Sequence, residues 1–185
     1  MKARTLLAAS AVCLGLTGFS TESRADAIVT GQWYQFSFDG TGSALTSCAG
    51  LCSNGLLSID APTSPWTINL PKAMLLVVTD GFQQGDEFEF FDFGTSIGST
   101  SQNANNNTHS CDNDELACFA DLFMSHGEFL LLAGQHSLTG TVTDSPFGGG
   151  AAFFIVTQSV PEPGTLALLA SALGGLGFVR RRAYA

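Results

Sequence analysis

The chain has 185 residues, of which 45% are hydrophobic and 12% are charged, with a formal net charge of −9. Fifteen of its sixteen acidic residues, but only one basic residue, Lys72, lie between Asp26 and Glu162, so this segment carries a net charge of −14. Such a charge excludes nucleic acid and anionic membrane surfaces as partners, because both would repel it.

Residues 1–27 have the layout of a secretory signal peptide. Lys2 and Arg4 form a positive n-region, and the apolar core that follows is too short and wrongly flanked for a stable membrane span. Small residues at Ala25 and Ala27 provide two cleavage positions. The first predicted unit therefore directs export and is then removed.

Residues 28–158 are predicted to form one all-β domain, either a β-sandwich or a jelly roll. Short apolar runs bounded by Gly, Pro, Asn and Asp recur about every ten residues, and several of them alternate between apolar and polar side chains. The doublet Phe90-Phe91 interrupts one alternating run, which indicates a bulge or a strand buried on both faces. The predicted strands are 33–38, 56–59, 66–70, 73–79, 86–93, 128–132, 137–143 and 151–158, and residues 114–124 are predicted to contain one or two helical turns.

The body contains an even number of cysteines, which in an exported domain indicates disulfides. They are Cys48, Cys52, Cys111 and Cys118, at C-x3-C and C-x6-C spacings within polar stretches rich in Gly and Asn. We predict the two local pairs, each of which closes a loop. The alternative is a zinc site with His109 as a further ligand, although zinc ligands are usually spaced more tightly.

Carboxylates are concentrated in one predicted strand, at Asp86, Glu87, Glu89 and Asp92. A glycosidase needs two carboxyl groups at a set distance in a cleft, whereas carboxylates on alternate strand residues are typical of a solvated face. The sequence contains no Gly-x-Ser-x-Gly elbow, and its three histidines lie in no catalytic motif. We therefore predict a protein that is not an enzyme, with a secreted hydrolase that uses Glu87 and Glu89 as the alternative.

A polar loop near the second cysteine pair concentrates oxygen ligands of the kind that calcium prefers. Asp112 and Asp114 are the candidate ligands, with Asn107 as a third. The loop lacks the twelve-residue spacing of an EF hand and the glycine at its sixth position. Calcium is thus one hypothesis for this loop, and solvation of an acidic exported protein is the other. No other cofactor is predicted.

Residues 159–185 form the third unit, in which a short motif precedes an apolar run and a basic cluster. The motif is Val160, Pro161, Glu162 and Pro163, the uncharged run covers 164–179, and the cluster is Arg180, Arg181 and Arg182. As a helix at about 1.5 Å per residue, the run would span about 24 Å, which is workable in a core of about 30 Å if flanking residues snorkel. The arginines favour the cytoplasmic side, so the body is predicted to lie on the outer side.

The order of these three parts resembles the PEP-CTERM sorting signal of Gram-negative bacteria. An ordinary C-terminal membrane anchor with a proline-rich linker is the alternative. The resemblance implies processing by an exosortase near the Pro-Glu-Pro motif. It also implies a transiently anchored protein of the cell envelope or the extracellular space.

PEP-CTERM tails are associated with bacteria that produce exopolysaccharide. The resemblance therefore implies a non-enzymatic binding or structural module within that matrix. If exposed, Trp33, Tyr34 or Trp66 would be suited to stack on sugar rings. The body itself resembles no family that would identify its ligand.

Overall fold

A computed structural model describes residues 26–48, 52, 55–102 and 109–158. The signal peptide up to residue 25, the sorting motif, the apolar run, the arginine cluster and Asn107 lie outside the described residues. Within the described ranges, no helix is long and apolar enough to cross a membrane.

The described residues form twelve strands and one helix, and they confirm the all-β prediction. The elements are β1 (Asp26–Ala27), β2 (Trp33–Phe38), β3 (Ser58–Asp60), β4 (Trp66–Leu70), β5 (Met74–Asp80), β6 (Phe82–Gln83), β7 (Glu87–Asp92), β8 (Thr95–Ser99), β9 (Ser110–Asp112), α1 (Glu115–Ala120), β10 (His126–Leu131), β11 (Gly134–Asp144) and β12 (Gly150–Thr157).

Two five-stranded sheets pack face to face. The first has the order β1-β4-β11-β7-β8 and the second the order β10-β5-β12-β2-β3, while β6 and β9 form a separate two-stranded ribbon. The pairs β1–β4 and β2–β3 are parallel, and the remaining pairs are antiparallel. Because strands of both sheets supply the same core cluster, the fold is a sandwich.

Aromatic side chains fill the space between the sheets. Phe36 of β2 meets Phe88 of β7 edge to face, with ring centroids 5.3 Å apart, and Trp66 of β4 lies 4.7 Å from Phe154 of β12. All four side chains are fully buried. The alternation that predicted β2 and β7 is therefore the alternation between core and outer face.

The aromatic residues proposed from the sequence to stack on sugars are buried instead. Trp66 is 0% exposed, Tyr34 is 4% exposed and Trp33 is 9% exposed. Trp66 and Tyr34 belong to the core between the sheets, and Trp33 packs beneath the helical cover of the second sheet. Their large apolar area is more stabilising in a core than on a surface, so the sugar-stacking role proposed for them is wrong.

The second sheet is buried on its outer face as well. Val77 of β5 and Phe153 of β12 form a smaller core with Met124 and the disulfide between Cys111 and Cys118. The continuous apolar run of β5 follows from this double burial, because a strand covered on both faces has no polar alternation.

The structure differs from the prediction mainly in short edge strands. No strand was predicted at β8, yet it pairs with β7 through the two-residue turn Phe93-Gly94. The register shifts between Phe90 and Phe91, so the predicted bulge is present. The helix ends at Ala120, since Asp121 adopts an extended backbone as its C-cap.

The first strand overlaps the predicted signal peptide. Asp26 and Ala27 pair with Trp66 and Thr67 at the edge of the first sheet. Of the two cleavage positions, only the one after Ala25 would leave both residues of β1 in the mature chain.

Candidate ligand-binding groove

A groove of about 500 Å³ lies on the outer face of the first sheet. It is lined by residues of β1, β4 and β11 and by the turn between β7 and β8, namely Ala27, Ile28, Thr67, Ile68, Asn69, Phe93, Gln135, His136 and Ser137. We call this the sheet-face groove. Its lining combines two amides, two hydroxyls and one exposed aromatic ring.

The register between β4 and β11 brings the polar side chains together. Thr67 lies opposite Ser137, and Asn69 lies opposite Gln135. Their chain neighbours Trp66 and Leu138 point into the core, so the alternation of a strand places these four polar side chains outside. Amide and hydroxyl groups can both donate and accept hydrogen bonds, and they carry no charge.

Phe93 forms one wall of the groove under backbone strain. Its φ is 47° and that of Gly94 is 77°, as a type I′ hairpin turn requires at both central positions. Asn or Asp usually precedes glycine there, and a bulky residue with positive φ is an outlier. Phe93 is nevertheless 67% exposed, so burial of its ring does not offset the strain.

His136 forms part of the base of the groove and is bound on both sides. Its Nδ1 lies 2.8 Å from Asp92 Oδ2, and its Nε2 lies 2.8 Å from the carbonyl oxygen of Leu132. Both ring nitrogens are therefore hydrogen-bonded within the protein. These two contacts fix the orientation of the ring at the base of the groove.

The structure separates the carboxylates that are close in sequence. Asp92 binds His136, and Glu89 accepts a hydrogen bond of 2.6 Å from Ser96 Oγ. Asp86 lies at the other end of β7, near Asp80. A strand of this length spreads its side chains over about 20 Å and two faces, so these carboxylates form no common cluster.

Asp80 and Asp86 are the groups with perturbed titration. Burial raises the pKa of the Asp80 carboxyl well above its usual value, and the charge of Asp86 raises it further. Burial also raises the pKa of Asp86 to about 6, against a hydrogen bond from Ser145 that lowers it, while Asp144 adds to the rise. The pair lies at the end of the sandwich opposite the sheet-face groove, since Asp80 ends β5 and Asp86 precedes β7.

We expect the raised pKa of Asp86 to make the fold less stable as pH rises. The folded carboxyl keeps its proton up to about pH 6, whereas the unfolded one releases it near pH 4, so stability falls across this window. Asp86→Asn should lose less of its free energy of unfolding as the pH rises. At pH 7 it should be more stable than the parent by about 1 kcal/mol, a value reduced for partial exposure. Urea unfolding at pH 4, 5, 6 and 7 measures the effect, and an unchanged slope in Asp86→Asn would contradict it.

The residues proposed as calcium ligands have other partners or stand apart. Asp114 is the N-cap of α1, with Oδ1 accepting from the backbone N–H groups of Leu116 and Ala117 at 3.0 Å each. Asp112 is the last residue of β9, and its Oδ1 accepts a hydrogen bond of 3.3 Å from Ser110 Oγ. Among the residues with described positions, no group of three or more His, Cys, Asp or Glu is placed to hold a metal ion. Calcium at this loop stays a prediction.

The cysteines form the two local pairs that the spacing favoured. Cys48 is joined to Cys52 and Cys111 to Cys118. Sulfurs joined in this way are not thiolate ligands, so the structure does not favour the zinc alternative. His109 instead stacks on Phe123, with ring centroids 3.9 Å apart.

Comparison with known proteins identifies the C-terminal segment. A family model described as the PEP-CTERM protein-sorting motif matches residues 159–183. The match covers the Pro-Glu-Pro motif, the apolar run and the arginine cluster, and it confirms the resemblance found in the sequence. No curated protein matches the chain.

Proposed function

We propose that this PEP-CTERM protein is a non-enzymatic binding module of the extracellular matrix, whose sheet-face groove binds a neutral exopolysaccharide. The sorting motif implies export to the cell envelope or the extracellular space and sorting by an exosortase. The ligand is inferred from the groove.

The observation that carries the proposal is the exposed, strained Phe93 beside uncharged amides and hydroxyls. Strain at a residue that gains nothing for the fold is a mark of a functional position. Aromatic rings present an apolar face that suits the C–H face of a sugar, while the amides of Asn69 and Gln135 match its hydroxyls.

The charge of the domain supports a neutral ligand over an acidic one. The segment from Asp26 to Glu162 carries a net charge of −14, which would repel a polysaccharide rich in uronic acid. His136, the one ionisable side chain among the described residues that line the groove, is paired with Asp92. The groove thus has little charge of its own to offset that repulsion.

The variant Phe93→Asn tests the proposal because it should separate binding from stability. Asn-Gly is the preferred sequence of a type I′ turn, so we expect the fold to gain about 1 kcal/mol. Loss of the ring should weaken binding to neutral oligosaccharides about tenfold, or about 1.4 kcal/mol. An array of neutral, amino-sugar and uronic-acid oligosaccharides, followed by titration calorimetry, measures the affinity.

Phe123→Asn is the matched control. Phe123 is also an exposed aromatic, at 50%, but it lies outside the groove. Equal losses in both variants, or no binding to any neutral glycan, would contradict the proposal. Release of reducing ends by the parent, abolished by Glu87→Gln together with Glu89→Gln, would favour the hydrolase alternative instead.

A further inference from the structure

The chain leaves the described domain at one end of the sandwich, which we call the tail end. Gln158 follows β12, and its Oε1 accepts a hydrogen bond of 2.9 Å from Lys72 Nζ, in the turn between β4 and β5. Lys72 is the only lysine or arginine between Asp26 and Glu162. The tail end therefore holds the one side chain of these two types in the exported body.

The distance from the tail end to the predicted membrane span is short. Five residues, 159–163, separate Gln158 from the uncharged run that begins at Gly164. Even a fully extended chain of this length covers only about 18 Å. The headgroup layer of one leaflet occupies about 5–7 Å of that distance, so the tail end must lie near the lipid surface whenever the run is inserted.

Exposed apolar side chains surround the point of exit. Leu132 is 65% exposed, Leu130 is 61% exposed and Val29 is 59% exposed. Leu130 lies opposite Leu75, which in turn pairs with Thr157 at the end of β12. We call Leu132, Leu130 and Val29 the exit patch.

The register of the strands places the other two members of the exit patch at the same end. Leu132 follows Leu131, the partner of Met74 at the start of β5. Val29 lies two residues before Gly31, whose N–H donates to the carbonyl oxygen of Val156. A groove of about 460 Å³ on the second sheet, lined mainly by apolar side chains but also by Glu128, reaches Gln158 as well.

Carboxylates collect at the opposite end of the sandwich. Asp80 ends β5, Asp86 precedes β7 and Asp144 ends β11, about 20 Å along the strands from the exit. At the tail end, Asp92 Oδ2 lies 2.8 Å from His136 Nδ1. The domain is thus polarised in charge, with a cluster of carboxylates at the far end, away from the exit of the chain.

From this polarity and the short linker we infer that the exit patch faces and enters the lipid interface while the sorting signal is still attached. The partner is a zwitterionic headgroup surface, because the net charge of the body opposes anionic lipid. Three small side chains bind weakly alone, but the tether supplies a high effective concentration. Cleavage of the sorting signal removes that advantage, so the domain dissociates from the lipid surface after processing.

Quenching of tryptophan fluorescence by brominated lipid tests the inference in phosphatidylcholine vesicles, on the chain that has lost its signal peptide and keeps its sorting signal. In Leu132→Trp the new ring should lie about 5–10 Å into the headgroup boundary and lose roughly half of its emission. Leu122→Trp is the control, since Leu122 is 87% exposed and lies near Asp80, whose N–H donates to Ser125 in the same loop. Its emission should stay unchanged, and the buried Trp33 and Trp66 give a common baseline.

The inference rests on the membrane-anchored form implied by the sorting signal. Vesicle flotation tests the anchoring separately from the docking of the exit patch. A chain that floats, with both new tryptophans quenched equally or neither quenched, overturns the docking and leaves the anchor in place. A chain that does not float overturns both. Because Leu132 and Leu122 are exposed, neither substitution disturbs the core, and circular dichroism confirms the fold.

Discussion

Trp66→Ala is expected to destabilise the domain by about 4 kcal/mol, because it empties the centre of the aromatic core. The Trp66 ring is 0% exposed and contacts Phe154 and Phe36 at centroid distances of 4.7 and 5.9 Å. Its Nε1 also donates to the carbonyl oxygen of Pro62 at 2.7 Å. A domain of this size has a total stability of about 5–15 kcal/mol, so the loss is a large part of it.

Trp66→Phe and Phe93→Ala are the control variants for Trp66→Ala. Trp66→Phe keeps most of the buried ring and should lose about 1–2 kcal/mol, whereas the exposed Phe93→Ala should stay within about 0.5 kcal/mol of the parent. Urea unfolding followed by circular dichroism gives all three values without relying on tryptophan emission. A stable Trp66→Ala that no longer binds glycan would mean that this ring contacts ligand, contrary to its burial.

The elements with a strong side-chain pattern could be predicted from the sequence. β2 and β4 were predicted with the bounds that the structure gives, because core side chains alternate cleanly in Trp33–Phe38 and Trp66–Leu70. β5 was recognised by its unbroken apolar run. The sorting signal could also be recognised from the sequence, since its three parts are contiguous in the chain.

Short strands escaped prediction because their pairing is set by distant partners. β1 and β6 have two residues each, which is too few for any periodicity. β8 lies at a sheet edge, and its Thr, Ser and Gly side chains give no apolar alternation. Its hairpin turn uses Phe93 where Asn or Asp is usual, so the ordinary turn signal is missing.

The sheet-face groove was missed for a related reason. Asn69 and Gln135 are far apart in the sequence, and only the register of β4 against β11 places them side by side. The one local signal was Phe93-Gly94, a bulky residue before glycine at the end of an alternating strand. The sequence drew attention instead to Trp33 and Trp66, because residue type alone does not distinguish a core aromatic from an exposed one.

A substitution at Asp80 tests whether the carboxylates with raised pKa values serve the fold or a reaction. Its Oδ1 accepts from the N–H of Gly81 at 2.8 Å, and its Oδ2 accepts from those of Gly85 and Asp86 at 3.1 Å each. The carboxylate thus closes the turn between β5 and β7, although burial raises its pKa. Removing it would leave these N–H groups without their acceptor in a buried site, which is costly.

We therefore expect Asp80→Ala to destabilise the domain by about 3–5 kcal/mol and Asp80→Asn, which keeps one acceptor oxygen, by less. Asp39→Ala, at an exposed carboxylate near the same end, should change the stability by no more than about 0.5 kcal/mol. Urea midpoints at pH 7 give the comparison. A catalytic carboxylate held at the expense of the fold would behave oppositely, since its removal commonly raises stability. A more stable Asp80→Ala would thus favour the hydrolase and place its acid at the far end of the sandwich, whereas the expected loss assigns Asp80 to the architecture of the segment between β5 and β7.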